Sequence, residues 1–208
     1  MKRRIMVAVG ATLLLTAGCA NGDPGSDDAG GISVPTPTVL PQKLTKPGAA
    51  PDLEPQDSPA DDAPFSEQLK YELEVRTLKM AAAEGETTAT CPSDLEASKG
   101  TTADCTTTFE GLEVQWTVKI GDNAAWSDNY VQYEATPSTG ILTKDGVVRL
   151  LFGNYSDTDY VLCNDIPDAV LAPLNVHSPY ECEVVSQGDE PTGYAKKVRA
   201  TEAGPRAA

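Results

Sequence analysis

The sequence has few of the residues on which most enzymes and nucleic-acid-binding proteins depend. It holds a single histidine, so a two-histidine metal site cannot form and most acid–base schemes lose their usual residue. Its 208 residues include 16 Lys and Arg against 31 Asp and Glu, a formal net charge of −15 at pH 7. Contact with phosphate backbones needs a basic surface, so we expect no nucleic-acid partner.

The N-terminus lacks an apolar run long enough to span a membrane. Ile5 to Leu15 follows a basic start and has eleven residues, whereas a spanning helix needs about 20. This arrangement is typical of a secretory signal peptide. Leu15-Thr16-Ala17-Gly18-Cys19 then resembles the bacterial lipobox, in which small residues precede a cysteine that is lipidated. The alternative is an ordinary signal peptide that happens to contain a cysteine.

We therefore predict a lipoprotein signal peptide over residues 1–18 and a diacylglyceryl anchor on Cys19. Two acyl chains are enough for stable anchoring, which places the protein on the outer face of the cytoplasmic membrane, at the cell surface. Residues 1–18 carry three basic groups and no acidic group, so their removal changes the net charge from −15 to −18. A chain so negative is not held to an anionic leaflet by its own surface, which favours the lipid as the sole attachment.

Aromatic residues are absent from residues 20–64, which contain nine of the 16 prolines. Such a segment cannot bury enough apolar surface to offset the entropy lost on ordering. The sequence predicts a disordered Pro/Asp-rich tether over residues 19–64. A proline-rich recognition motif or glycosylated threonines are the alternatives.

With Cys19 assigned to the lipid, four cysteines remain. An even number in an exported chain predicts two disulfides, for which three pairings exist. We favour the sequence-local pairing because each pair then brackets one compact segment: Cys91–Cys105 and Cys163–Cys182. The rival interpretation is a zinc site, which the lack of any Cys-x-x-Cys and the oxidising compartment disfavour. We predict no metal and no cofactor.

The clearest secondary-structure signal is a hairpin. From Leu112 to Ile120 apolar and polar residues alternate strictly, and Ala103 to Phe109 alternates in the same way. The link Glu110-Gly111 suits a tight turn in which glycine supplies positive φ. This register places Cys105 on the inward face with Phe109. A third strand is predicted over Tyr130 to Thr136.

Two helices are predicted, over Ser66–Glu84 and Asp145–Phe152. The first is rich in helix formers and has Gly85 as a candidate cap. Leu69 to Arg76 also alternates as a strand would, but length and composition favour the helix.

The second half of the chain loosely repeats the first. Each cysteine pair follows a candidate helix and precedes strand-like sequence. The predicted fold class is α+β: a small disulfide-stapled module of a helix and an antiparallel sheet, duplicated in tandem at 65–140 and 141–203, with a disordered tail at 204–208. Units this small need a staple, which the disulfides supply. The alternative is one domain with two unrelated bridges.

Cys91-Pro92-x-x-Leu95, then Gly100, Cys105 and Gly111 before an alternating strand, resembles a domain of unknown function in small actinobacterial cell-surface lipoproteins. The likeness covers residues 66–120. The second half departs from it, since Asn164 replaces the proline. The resemblance implies a surface location and a disulfide-stapled α+β module, but no catalytic residues.

Three groups of residues are candidates for chemistry. His177-Ser178 is disfavoured as a catalytic dyad, because adjacent side chains rarely face each other. An oxygen-rich cluster could hold calcium, but its spacing is not that of an EF-hand loop; its members are Asp157, Asp159, Asn164, Asp165 and Asp168. Trp126, Tyr130 and Tyr133 are the candidate ligand-binding residues, since aromatic side chains beside Asp and Asn bind sugars or peptides. Packing in the small core is the alternative.

The sequence therefore favours a lipid-anchored, non-catalytic binding or accessory module of the cell envelope. Its partners would be the membrane, through the lipid, and an envelope protein or cell-wall ligand that the sequence does not identify. The alternative is an envelope hydrolase that uses paired carboxylates among the 31 acidic residues. A structural spacer is the third hypothesis, and it predicts neither a pocket nor an apolar patch.

Overall fold

The chain alternates short strands with two helices. The computed structural model describes residues 38–123 and 131–207. The elements are β1 (Gln42–Leu44), α1 (Phe65–Ala81), β2 (Thr87–Thr90), β3 (Thr102–Phe109), β4 (Leu112–Asn123), β5 (Val131–Pro137), β6 (Gly140–Thr143), α2 (Lys144–Asn154), β7 (Thr158–Cys163), β8 (Ala169–Ala172), β9 (His177–Ser186), β10 (Lys196–Arg199) and β11 (Arg206–Ala207). The predicted α+β class is confirmed.

The strands form three sheets. One has the order β2-β3-β4-β5, the second has the order β1-β7-β9-β10-β11, and β6-β8 is a separate two-stranded ribbon. Every pair of named strands is antiparallel. The described residues, 38–123 and 131–207, belong to one compact unit.

The predicted hairpin is formed by β3 and β4. Glu110 and Gly111 link the strands with φ of 47° and 79°, the two positive values that a two-residue turn of matching twist requires. The alternating apolar residues of β4 point inward, and Val114, Trp116 and Val118 are buried.

Helix α1 confirms the helical interpretation over the alternating one, but it ends earlier than predicted. Ala82 takes a left-handed φ of 51° and its amide donates to the Leu78 carbonyl at 2.8 Å. Gly85, predicted as the cap, has a different role. A Cβ there would lie 2.5 Å from the ring of Phe109, so glycine is needed for close packing.

A buried polar contact fixes α1 to the first sheet. The Trp116 indole Nε1 donates to Thr107 Oγ1 at 2.8 Å, and this oxygen lies 2.8 Å from Thr77 Oγ1 on the helix. Both threonines are fully buried. The three side chains satisfy one another, as buried polar groups must.

Two hydrophobic cores lie within the compact unit, and each contains one disulfide. Cys91–Cys105 joins the residue that follows β2 to β3 with a Cα–Cα distance of 4.4 Å, and Cys163–Cys182 joins β7 to β9 at 4.2 Å. Cys163 and Cys182 are directly opposite each other in the strand register. The sequence-local pairing is therefore confirmed.

The ribbon β6-β8 contributes residues to both cores. Adjacent residues of β6 point to opposite sides, so Ile141 belongs to the first core and Leu142 to the second. In β8, Ala169 packs against the first core and Val170 against the second. Because successive side chains of a strand point to opposite faces, one ribbon packs against both cores.

Thr143 joins the halves at the end of this ribbon. Its side-chain oxygen accepts from the Gly146 amide at 2.9 Å, which caps α2, and its hydroxyl donates to the Ala81 carbonyl at 2.6 Å, at the end of α1. Thr143 is only 2% exposed. A Cβ on Gly146 would lie 2.5 Å from the same Ala81 oxygen, so the two helix ends meet closely.

Part of the predicted tether is ordered in the structure, which corrects the disordered interpretation for residues 38–64. Strand β1 pairs with β7, and the Gln42 side chain exchanges hydrogen bonds with the Ile166 backbone at 2.9 and 3.0 Å. Leu44 and Leu53 pack against the second and the first core. Sparse apolar residues suffice here because an open strand edge supplies backbone partners. Residues 19–37 lie outside the described part.

The predicted disordered tail is also corrected. Residues 206–207 form β11 on the edge of β10, and Gly204 and Pro205 are buried. The sequence of this tail does not predict a strand, because β11 has only two residues and so shows no alternation of apolar and polar residues.

Replacing Thr143 by Val keeps the shape of the side chain and removes both hydrogen bonds. We expect a loss of about 2 kcal/mol in the free energy of unfolding, since a helix cap and a buried carbonyl lose their partners. Urea unfolding measures the change. Thr136→Val, on an exposed position of β5, is the matched control and should change little. A Thr143→Val variant as stable as the control would contradict the role of this residue.

Candidate functional site

Of the three predicted ligand-binding residues, the structure describes Tyr133. Trp126 and Tyr130 lie in residues 124–130, outside the described part, as does the predicted lipidation site Cys19. Tyr133 is half-buried on β5, and its ring meets that of Phe65 edge-on, with centroids 6.3 Å apart.

Charged neighbours on α1 surround the Tyr133 ring. The Arg76 guanidinium lies 5.3 Å from the ring centroid and also 3.4 Å from the Glu72 carboxylate, measured from Nε to Oε1. Burial raises the pKa of the Tyr133 phenol, and the positive charge of Arg76 opposes that rise. The phenol is therefore neutral at physiological pH and can both donate and accept a hydrogen bond.

A groove of about 1070 Å³ opens beside Tyr133. Phe65, Tyr71 and Tyr133 supply its aromatic lining, and Leu69 and Val131 add apolar surface. The remaining lining consists of segment 58–61, the polar residues Gln68 and Glu72, and Ala97. We call this the aromatic groove.

Local sequence explains why these side chains meet. Phe65, Leu69, Glu72 and Arg76 follow the three- and four-residue spacing of one helix face, so α1 presents them to β5 together. Val131 and Tyr133 share a face of β5 through its two-residue period. Sequence reasoning placed Tyr71 on the helix but did not identify Phe65 or Tyr71 as groove residues. For Phe65 the available signal was its four-residue spacing from Leu69, but such spacing does not distinguish a groove from a core.

The chemistry of the aromatic groove suits binding. Aromatic faces accept sugar rings or apolar side chains, and the carboxylates of Asp61 and Glu72 can accept hydrogen bonds from hydroxyl or amide groups. Among its described lining residues there is no histidine, lysine or cysteine.

A second cavity, of about 550 Å³, is lined mainly by carboxylates. Asp52, Glu54 and Asp57 lie on one side, and Glu74, Glu84 and Glu86 on the other. Burial raises the pKa of the Glu74 carboxyl, although the Ala89 backbone amide and the charge of Lys70 oppose the rise. We call this the acidic cavity.

Of the other predicted candidates, Ser178, Asn164 and Asp168 have structural partners. Ser178 is buried and its hydroxyl donates to the Val198 carbonyl at 2.8 Å, while the adjacent His177 is exposed. Asn164 bonds the backbone of Pro179 and Glu181, and Asp168 pairs with Lys144. Within residues 38–123 and 131–207, no three His, Cys, Asp or Glu side chains converge as a metal site.

Comparisons with known proteins add no assignment: no family model, curated protein or solved structure matches this chain. No helix in the described part is long and apolar enough to cross a membrane.

The raised pKa of Glu74 predicts how stability depends on pH. The folded state holds its proton to higher pH than the unfolded chain, whose ordinary value is 4.5, so this group destabilises the fold as pH rises above 4.5 through the raised value. We expect Glu74→Gln to be more stable than the parent at pH 7 and to lose that advantage below pH 4.5. Denaturant midpoints across this range measure it.

Glu113→Gln, an exposed change on β4, is the matched control and should show no such pH-dependent gain. A Glu74→Gln variant that is less stable than the parent at pH 7 would show that the carboxylate is favourable when charged.

Proposed function

We propose that this chain is a lipid-anchored, non-catalytic binding module of the cell envelope and that the aromatic groove holds its ligand. The observation that carries the proposal is the set of three aromatic side chains lining one open groove of about 1070 Å³. A chain with only twelve aromatic residues can expose three of them in one place only at a cost to its core. A structural spacer would need no such groove.

A cell-wall glycan or peptide fragment is the ligand class that the groove favours. Flat aromatic faces pack against sugar rings or proline-like side chains, while Asp61, Glu72 and the neutral Tyr133 phenol supply hydrogen bonds at the rim. The apolar surface gives affinity, and the polar groups fix orientation.

Soluble cell-wall fragments titrated into the purified full chain test this proposal by amide chemical shifts. We expect shifts at Phe65, Tyr71 and Tyr133, and about tenfold weaker binding in Tyr71→Ala, because one stacking partner is lost. Tyr194→Ala is the matched control, since Tyr194 is 85% exposed and lies outside the groove. Equal affinity in both variants would place binding elsewhere.

The membrane location is part of the proposal and rests on the lipobox-like segment before Cys19. The resemblance of residues 66–120 to actinobacterial surface lipoproteins supports it. We expect Cys19→Ala to release the protein into the culture medium, because the short apolar run cannot hold it alone. Fractionation of cells and medium measures the released share of the protein. Retention of Cys19→Ala in the membrane fraction would contradict the anchor.

We infer further that the two halves descend from one duplicated module. In each half a helix precedes four strands of one meander, β2-β3-β4-β5 and β7-β9-β10-β11, and a disulfide links the end of the first of these strands to the second. The second half differs by the insertion of β8 and by the addition of β1 at its edge.

An envelope hydrolase is the second candidate, and the acidic cavity is the observation in its favour. Glu74 has the raised pKa that a general acid needs, and five other carboxylates line the same cavity. Release of soluble sugars or peptides from purified cell wall would support it if Glu74→Gln abolished that release. Release that survives in Glu74→Gln would exclude Glu74 as the general acid, and no release at all would leave the binding function as the sole proposal.

A further inference from the structure

The last two strands carry positive charge that the overall composition conceals. Lys197 and Arg199 lie on β10 and Arg206 on β11, in a chain whose net charge is −15. Their positions in the sheet, rather than their number, decide what they can bind.

The three basic residues share one face of the second sheet. Val198 and Ala207 are directly opposite each other and pack against the second core. Alternation along each strand therefore turns Lys197, Arg199 and Arg206 to the other face. The register of β10 on β9 shifts between Lys197 and Arg199, whereas Arg199 and Arg206 are paired directly.

Arg199 lies between two further basic groups on this face. Arg206 is directly opposite it on β11, and His177 is directly opposite it on β9. Side chains of opposite residues in antiparallel strands lie about 5 Å apart, and like charges there destabilise the sheet. An anion held between the two guanidinium groups would reverse the sign of this interaction.

The Arg199 side chain has a buried polar atom without a partner. Its Nε is shielded from solvent and makes no hydrogen bond within the part of the chain that the structure describes. A buried donor without an acceptor is costly, and native proteins rarely keep one without a reason. Arg199 as a whole is partly exposed, and Arg206 opposite it is exposed.

Neighbouring acids leave the charge of the arginines largely uncompensated. Glu181 is directly opposite Lys197 and can balance that residue. Glu183, next on the same face, is buried and already accepts hydrogen bonds from Thr192 Oγ1 at 2.7 Å and the Gly193 amide at 3.0 Å. Among the described residues, neither carboxylate forms an ion pair with Arg199 or Arg206.

We propose that Arg199 and Arg206, with His177 and Lys197 beside them, form a binding site for a phosphate group. Guanidinium forks bind phosphate through paired hydrogen bonds, and a phosphate offers enough oxygens to bridge two of them. A carboxylate, with two oxygens, would satisfy one fork. The phosphate would belong to a soluble phosphate ester or to a lipid headgroup. The site is independent of the aromatic groove, whose lining comes from other residues.

Amide and arginine side-chain NMR shifts of the full chain in a non-ionic detergent test this proposal. Inorganic phosphate and glycerol phosphate are added in one arm, and micelles doped with phosphatidylglycerol replace the plain micelles in the other. Sodium chloride at the same ionic strength is the salt control. We expect saturable shifts at His177, Arg199 and Arg206 in at least one arm.

Matched variants separate a site from general charge attraction. Arg206→Gln, at an exposed position, should weaken binding about tenfold, because one charge-assisted pair of hydrogen bonds is lost. Lys119→Gln, at an exposed position of β4, also removes one positive charge and should leave binding unchanged. Arg199→Gln should abolish binding. If Arg199→Gln does not fold, the phosphate affinities of Arg206→Gln and Lys197→Gln decide the test.

Saturation by the soluble phosphates would identify a soluble ester as the ligand source, and shifts only with the doped micelles would identify a headgroup. Either result supports the site. The proposal is overturned if sodium chloride reproduces the shifts, if neither arm produces any, or if Arg206→Gln and Lys119→Gln bind equally well.

Discussion

The hydroxyl group of Thr143 is the contact on which the arrangement of the two halves depends. It caps α2 and bonds the last carbonyl of α1, and it does so at the end of β6, which like β8 contributes residues to both cores. Helix ends leave backbone groups without partners, and burying them requires a side chain at this point. Because one buried oxygen serves both helices, neither half can move without breaking a contact that the other half needs.

This constraint positions the aromatic groove. The C-terminal end of α1 is held by Thr143, and its middle by the contact of Thr77 with Thr107 and Trp116. The N-terminal half of the helix then presents Phe65 and Tyr71 beside β5. A binding surface on a helix fixed in this way is preorganised, so little entropy is lost when a ligand binds.

Strong local patterns allowed much of the fold to be predicted. The nine-residue alternation from Leu112 identified β4 and its inward face, and the cysteine spacing identified both disulfides. Weak or distant patterns did not. Strand β1 depends on an edge that β7 provides more than 110 residues later, and β11 has two residues. Gly85 was read as a helix cap because sequence carries no sign that Phe109 packs onto it.

Site prediction had the same limits. Tyr133 was identified from its type and neighbours, while Phe65 joined it only through the packing of α1 on β5. The sequence does not indicate the proposed phosphate site, because net charge averages over the chain, whereas Arg199 and Arg206 meet only through strand pairing. Distribution of charge, not its sum, decides what an acidic protein can bind.

Native-state hydrogen exchange tests most directly the central claim that the two halves form one cooperative unit. The account predicts that protected amides of β4 in the first core and of β7 in the second open with the same free energy, within about 1 kcal/mol. It also predicts that denaturant lowers both by the same slope. The claim would be contradicted if the amides of one sheet exchanged while those of the other sheet stayed protected, because the halves would then unfold separately.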